Sequence, residues 1–420
     1  MCGSMPARRH PLERKGLNCS KDSFSLCQSL FFARSIMTTL THRQRILNAL
    51  SHQQPDRIPL DLGSTVVTGI TCKAYDRLKK QLGLELGETQ VFERAAQVAV
   101  IDEPLLDLFQ IDTRGVIPGL PDNAPNVESP DEYGYIDEWG LKRTMPPDSD
   151  TYFGCNAPLS GELSLNDIER YPWPDPADPG RTRDLAAKIQ LLNARGDFAV
   201  LLTLPANFIA TSMLLRGFED WFVDTALNPK LAGALMDQVM EIQMEMCANI
   251  LGAVGGSIDV VVNLDDLATQ DRILVSMPVY RRLLEPRLTR LYEFIRKNTN
   301  ARLLHHTDGA VEPLLNSLID MGIDAVNPLQ VSAKGMDDVA ALKSSYGARL
   351  AFWGGIDTQH ILPFGSVADV KNAVSEMNRA LNIDGGYVMT SVHNIQNDVP
   401  PQNILALFET ALGQKLAGEK

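Results

Sequence analysis

Cysteine is scarce: six residues in a chain of 420, no two of them spaced as CxxC. That excludes a disulfide framework and a Cys-based zinc ribbon, and it points to a reducing, cytoplasmic compartment. Positive charge is short too. Lys and Arg number 39 against 52 Asp and Glu, a formal net charge of −13. Such a balance argues against non-specific nucleic-acid binding, against adhesion to an anionic membrane, and against a highly anionic substrate without a local basic pocket. No apolar run approaches the roughly 18–20 residues of a spanning helix. No GxGxxG follows the first apolar run and no GxSxG occurs anywhere, so dinucleotide-binding and serine-hydrolase readings lack their signatures.

Residues 1–36 stand apart, with six Lys/Arg against two acids and no sustained periodicity. They read as an N-terminal extension, either a disordered tail or a translated stretch upstream of a true start at Met37; an organelle-targeting peptide is the other reading. From residue 37 to 416 the pattern is regular. Eight short apolar runs read as strands: "RIPLDLG", "TRGVIP", "FAVLLTLP", "IDVVVNLDD", "ARLLHH", "IDAVNPLQ", "RLAFWGGID" and "GYVMTSVHN". Amphipathic helical segments lie between most of them. In one of these, Met236, Met240 and Met244 recur every four residues, which reads as core packing. Apolar strands alternating with helices indicate a parallel sheet, and eight such units indicate an α/β fold of the (β/α)8 TIM-barrel class. Residues 119–182, rich in Pro, Gly and Asp, break the rhythm after the second strand. They read as an inserted hairpin or flap at the mouth of the barrel, a lid over the site.

Barrel enzymes place their chemistry at the C-terminal ends of the strands. Polar residues there are Asp61, Asp265, Asp266, His305, His306, Asp308, Asn327, Gln330, Asp357, His393 and Asn394. Side chains two apart on an extended segment face the same way, so His306 and Asp308 converge while His305 points elsewhere. With His393 they form a candidate metal set, for zinc first and for non-haem iron second. The competing reading makes His306 a hydrogen-bonded rim residue and Asp308 the cap of the following helix. Asp265 and Asp266 face opposite ways, so one of them reaches the site. Asp61 and Asp357 are proton donors or acceptors, or loop caps.

The segments "RQRILNALSHQQPDRIPLDLG", "HTDGAVEPLLNSLIDMGIDAVNPLQ", "FWGGIDTQHILPFGS" and "GGYVMTSVHNIQNDVPPQNILALFE" resemble the uroporphyrinogen decarboxylase superfamily, over roughly Thr38 to Gly413. The resemblance is strongest to its cobalamin (corrinoid)-dependent methyltransferase branch, and it implies a TIM barrel. Decarboxylases of the family carry an arginine-rich loop after the first strand, whereas this chain has no arginine between Arg57 and Arg77. The methyltransferase branch binds zinc through a His-x-Cys-Gly element and a later Cys. Here Asp308 replaces the first Cys in His306-Thr307-Asp308-Gly309, and His393 stands at the second. The resemblance therefore implies a zinc-dependent transfer of a methyl group between a small O-, N- or S-methylated compound and a corrinoid carried by a partner protein. On that reading His306, Asp308 and His393 hold the metal, Asp61 or Asp266 moves a proton, and Asn327, Gln330, Asp357 and Asn394 contact substrate. A decarboxylase of a tetrapyrrole or smaller acid, needing no metal, is the alternative; a non-catalytic binding protein is a third.

Overall fold

The computed structural model describes residues 39–122 and 134–416, so the expected extension over residues 1–36 and part of the expected insertion lie outside it. In chain order the strands are β1 (Val91–Glu93), β2 (Val98–Ala99), β3 (Thr113–Val116), β4 (Gly134–Ile136), β5 (Lys142–Thr144) and β6 (Phe153–Gly154). They continue with β7 (Ala199–Thr203), β8 (Val260–Leu264), β9 (Arg302–His306), β10 (Ala325–Leu329), β11 (Ala351–Ile356) and β12 (Tyr387–Ser391). Seven of them, β3 and β7 to β12, pair in chain order as one parallel sheet. Helices separate them, and the sheet curls into a TIM-barrel-like fold.

The first expected strand takes another form. Residues around Leu60 make one isolated bridge, to Met389. Their hydrogen bonds nonetheless reach both edges of the sheet: Asp61 N–H to the Met389 carbonyl, Met389 N–H to Pro59, and Asp112 N–H to Leu60. Two features prevent a regular ladder here. Pro59 has no N–H to give, and the Leu60 N–H donates to the Asp112 carboxylate at 2.8 Å instead of to a strand. That carboxylate is fully buried and also receives Arg45 and Arg57.

Alternation along the strands sorts the core. Ala199, Leu201, Val260, Val262, Leu304, Ala325, Ala351, Trp353 and Val388 meet on the inner side. The helix His42–Leu50, started by a capping box between Thr41 and Gln44, adds Ile46, Ala49 and Leu50 to that cluster. The outward faces pack on the surrounding helices, where Met236 and Met240 are buried. Between β3 and β7, the strands β4, β5 and β6 form a separate antiparallel sheet. It is joined to the body by Tyr152 N–H donating to the Ala95 carbonyl.

Candidate metal centre

At the end of β9 the period-two rule separates two adjacent histidines. His305 turns outward into the wall, with Nδ1 2.8 Å from the Tyr292 hydroxyl, and burial pulls its imidazole down to about 3. His306 turns inward. Its Nε2 lies 3.9 Å from Asp308 Oδ2, and its ring centroid lies 5.8 Å from that of His393. Ligand atoms of His306, Asp308 and His393 all fall within 4.8 Å of one another. Burial pulls the His393 imidazole down to about 4, with the Asp308 carboxylate opposing and His306 adding to the drop. A neutral imidazole is the form that ligates a metal.

Asp308 does not cap the following helix. The helical turn begins at Glu312 with Val311 before it, and no side chain caps it. Asp308 Oδ1 is instead buried without a hydrogen-bond partner. A buried, unpartnered carboxylate oxygen beside two imidazole rings is the donor set a divalent cation satisfies, so these residues fit a metal.

The loop that presents them is braced on several sides. Asp308 N–H donates to Asp266 Oδ1 at 2.8 Å, Gly309 N–H to Gln330 Oε1 at 2.6 Å, and Ala310 N–H to the Thr269 carbonyl at 2.9 Å. Thr307 Oγ1 accepts from Leu267 N–H at 2.8 Å. Gly309 has φ +95°, and a Cβ there would stand 2.4 Å from the Thr269 oxygen, so only glycine fits this close approach.

The other sequence candidates are distributed around this core. Asn327 accepts from His306 Nδ1 at 2.7 Å and reaches no further into the mouth in its present hydrogen bonding. Asn394 accepts from Gly69 N–H and donates to the Val66 carbonyl, holding the loop after Leu62 against the end of β12. Asp357 accepts from Gln359 N–H and from His360 Nδ1 within its own turn. Asp265 accepts the N–H groups of Ile209 and Ala210 at the start of the helix Phe208–Arg216, leaving Asp266 as the one of the pair that meets the site. Asp266 is exposed, yet the surrounding walls push its carboxyl above the usual range, with His306 opposing. Asp61 is fully enclosed, bonded by Thr113 Oγ1 at 2.6 Å and by the Trp353 indole N–H at 2.9 Å, and burial raises its pKa. Thr307, Thr269 and Trp353 escaped the sequence reading. Nothing in a threonine or in an apolar strand residue distinguishes such service from ordinary packing.

Residues 156–413 match the family model described as Uroporphyrinogen decarboxylase (URO-D). No curated protein matches the sequence. Among solved structures, a methyltransferase from Methanosarcina mazei superposes with a TM-score of 0.63 at 18% identity, covering 89% of this chain and 99% of that one. At that identity the likeness speaks for the fold. A GH113 β-1,4-mannanase is similar at a TM-score of 0.38 and 9% identity, covering 85% of this chain and 99% of that one.

Proposed function

We propose a methyl-transfer function, from the premise that the chain belongs to the uroporphyrinogen decarboxylase family. The protein moves a methyl group between a small O-, N- or S-methylated compound and a corrinoid carried by a partner protein. The observation that carries this reading is the cluster of His306, Asp308 and His393 with an ownerless carboxylate oxygen. His306 through Nε2, Asp308 through a carboxylate oxygen and His393 through a ring nitrogen would hold zinc, which supplies Lewis acidity to the heteroatom that loses or gains the methyl group.

The remaining work falls to side chains of this chain. Asp266, exposed at the lip, carries the balancing proton: it gives one to an oxygen that loses its methyl, or takes one from a thiol that gains it. Asp61 is sealed behind Trp353 and Thr113, so proton transfer is assigned to Asp266 in preference. Gln330 and Asn394 act through the loops they hold. The insertion expected over residues 119–182 would be the flap beside which the corrinoid protein docks. The missing arginines between Arg57 and Arg77 disfavour a polycarboxylate substrate, since several carboxylates need several cations.

The test is an anaerobic assay with zinc-loaded protein, reduced cobalamin and a panel of methyl ethers, methylamines and thioethers. Formation of methylcobalamin from one of them, slowed at least tenfold in Asp266→Asn, is the expected result. Loss of CO2 from a porphyrinogen or smaller acid by metal-free protein, with no methylcobalamin from any donor, would establish the decarboxylase instead.

A further inference from the structure

The amide of Asn327 is held in one orientation by what lies on either side of it. On one side, Nδ2 is 3.2 Å from the Trp353 carbonyl oxygen. A carbonyl only accepts, so the NH2 end of the amide must face it. The other end, Oδ1, is then the atom 2.7 Å from His306 Nδ1. An amide oxygen only accepts, so the proton of a neutral His306 must sit on Nδ1 and its lone pair on Nε2. Nε2 is the nitrogen that faces Asp308.

The carbonyl that orients Asn327 belongs to a residue that is itself anchored. Trp353 is fully buried, and its indole N–H donates to Asp61 Oδ2 at 2.9 Å, while Asp61 Oδ1 receives the Thr113 hydroxyl. Asn327 is fully buried as well, and its backbone carbonyl receives Thr307 N–H at 2.8 Å, tying β10 to the loop that carries Asp308. A hydrogen-bonded series thus runs from Asp61 through Trp353 and Asn327 to His306. It crosses from the segment around Leu60 to three neighbouring strands.

We propose that Asn327 is a positioning residue that sets the tautomer and ring orientation of His306, with Trp353 and Asp61 fixing the amide in turn. This rests on the metal-site reading above for its consequence but not for its geometry. Asn327 then has no free polar end for substrate, in contrast to the role its strand-end position implies. Outer partners of ligating histidines typically hold a 10–100-fold share of metal affinity.

The experiment uses the full-length protein with two substitutions. Asn327→Leu keeps the branched outline, with more bulk, and removes the acceptor; Asn327→Asp keeps the size and an acceptor toward His306. Both lose the donor to Trp353, and a merely structural role changes stability without moving the tautomer of His306, which is therefore read directly. In metal-free protein with 15N-labelled histidine, His306 is assigned by its absence in His306→Ala. The expected spectrum shows His306 as the Nδ1–H tautomer in wild type and Asn327→Asp, and a mixture of tautomers in Asn327→Leu. Zinc affinity, read by competition with a chromophoric chelator, is expected to fall about 10–100-fold in Asn327→Leu and to stay within about threefold in Asn327→Asp. An Nε2–H tautomer in wild type, or equal behaviour of the two variants, overturns the proposal. If wild type and His306→Ala take up zinc alike while the tautomer is as expected, the metal-site reading fails and the positioning of His306 stands.

Discussion

His52 sits just after the first helix at φ +53°, with Nδ1 buried and without a hydrogen-bond partner. Burial lowers its pKa, and the positive charges of Lys343 and Arg302 lower it further, against a raising influence from the Gly347 backbone and Asp324. The sign of the consequence is fixed. Above the unfolded value of about 6.5 both states are neutral and His52 adds no pH dependence. Below it the unfolded chain takes up a proton that the folded chain resists, so stability falls as pH drops. His52→Asn, which tolerates the same left-handed backbone, should flatten the decline in urea midpoint between pH 7 and pH 5. An unchanged slope would assign that decline to other groups. At this same scale, the His306–Asp308 pairing was legible because side-chain direction follows from spacing alone. The uses of Asn327, Asp357 and Asn394 were not. A polar residue at a strand end serves the site or its own loop, and the choice depends on partners 21 residues away for Asn327 and 325 for Asn394.

At the scale of elements, the segment around Leu60 is fixed to the sheet through one buried carboxylate. Asp112 receives Arg45 at 2.5 Å, Arg57 at 2.7 Å, His42 at 2.7 Å and the Leu60 N–H at 2.8 Å. Removing it leaves Arg45 buried without that counter-charge and frees the chain that joins β12 to β3. Asp112→Ala is expected to lose about 3–5 kcal/mol in urea unfolding, the range for breaking a buried ion pair. A loss below about 1 kcal/mol would show that the joint is held by packing. Seven of the eight expected strands appear in the sheet, within a residue or three of their apolar runs, because strands buried on both faces leave a continuous apolar signature. The eighth is replaced by a segment whose N–H groups go elsewhere. Pro59 was visible in the sequence; the capture of the Leu60 N–H by Asp112, 52 residues on, was not.

For the whole molecule, an acidic TIM-barrel-like chain brings together His306, Asp308 and His393 as a candidate metal set. No helix among the described residues is long and apolar enough to cross a membrane. The family was legible from motifs. The direction of Asp308 away from helix capping needed coordinates, since a strand-end Asp before Gly serves either purpose. The measurement that bears most directly on the central claim is zinc and iron content by elemental analysis. It is made on wild type, His306→Ala and His393→Ala, with thermal stability before and after chelation. The account predicts about one zinc per chain in wild type. Both variants should lose it, and chelation should lower the melting temperature of wild type alone, because a ligand that binds only the folded state stabilises it. Metal-free wild type that takes up no zinc on addition, with unchanged stability in both variants, would contradict it.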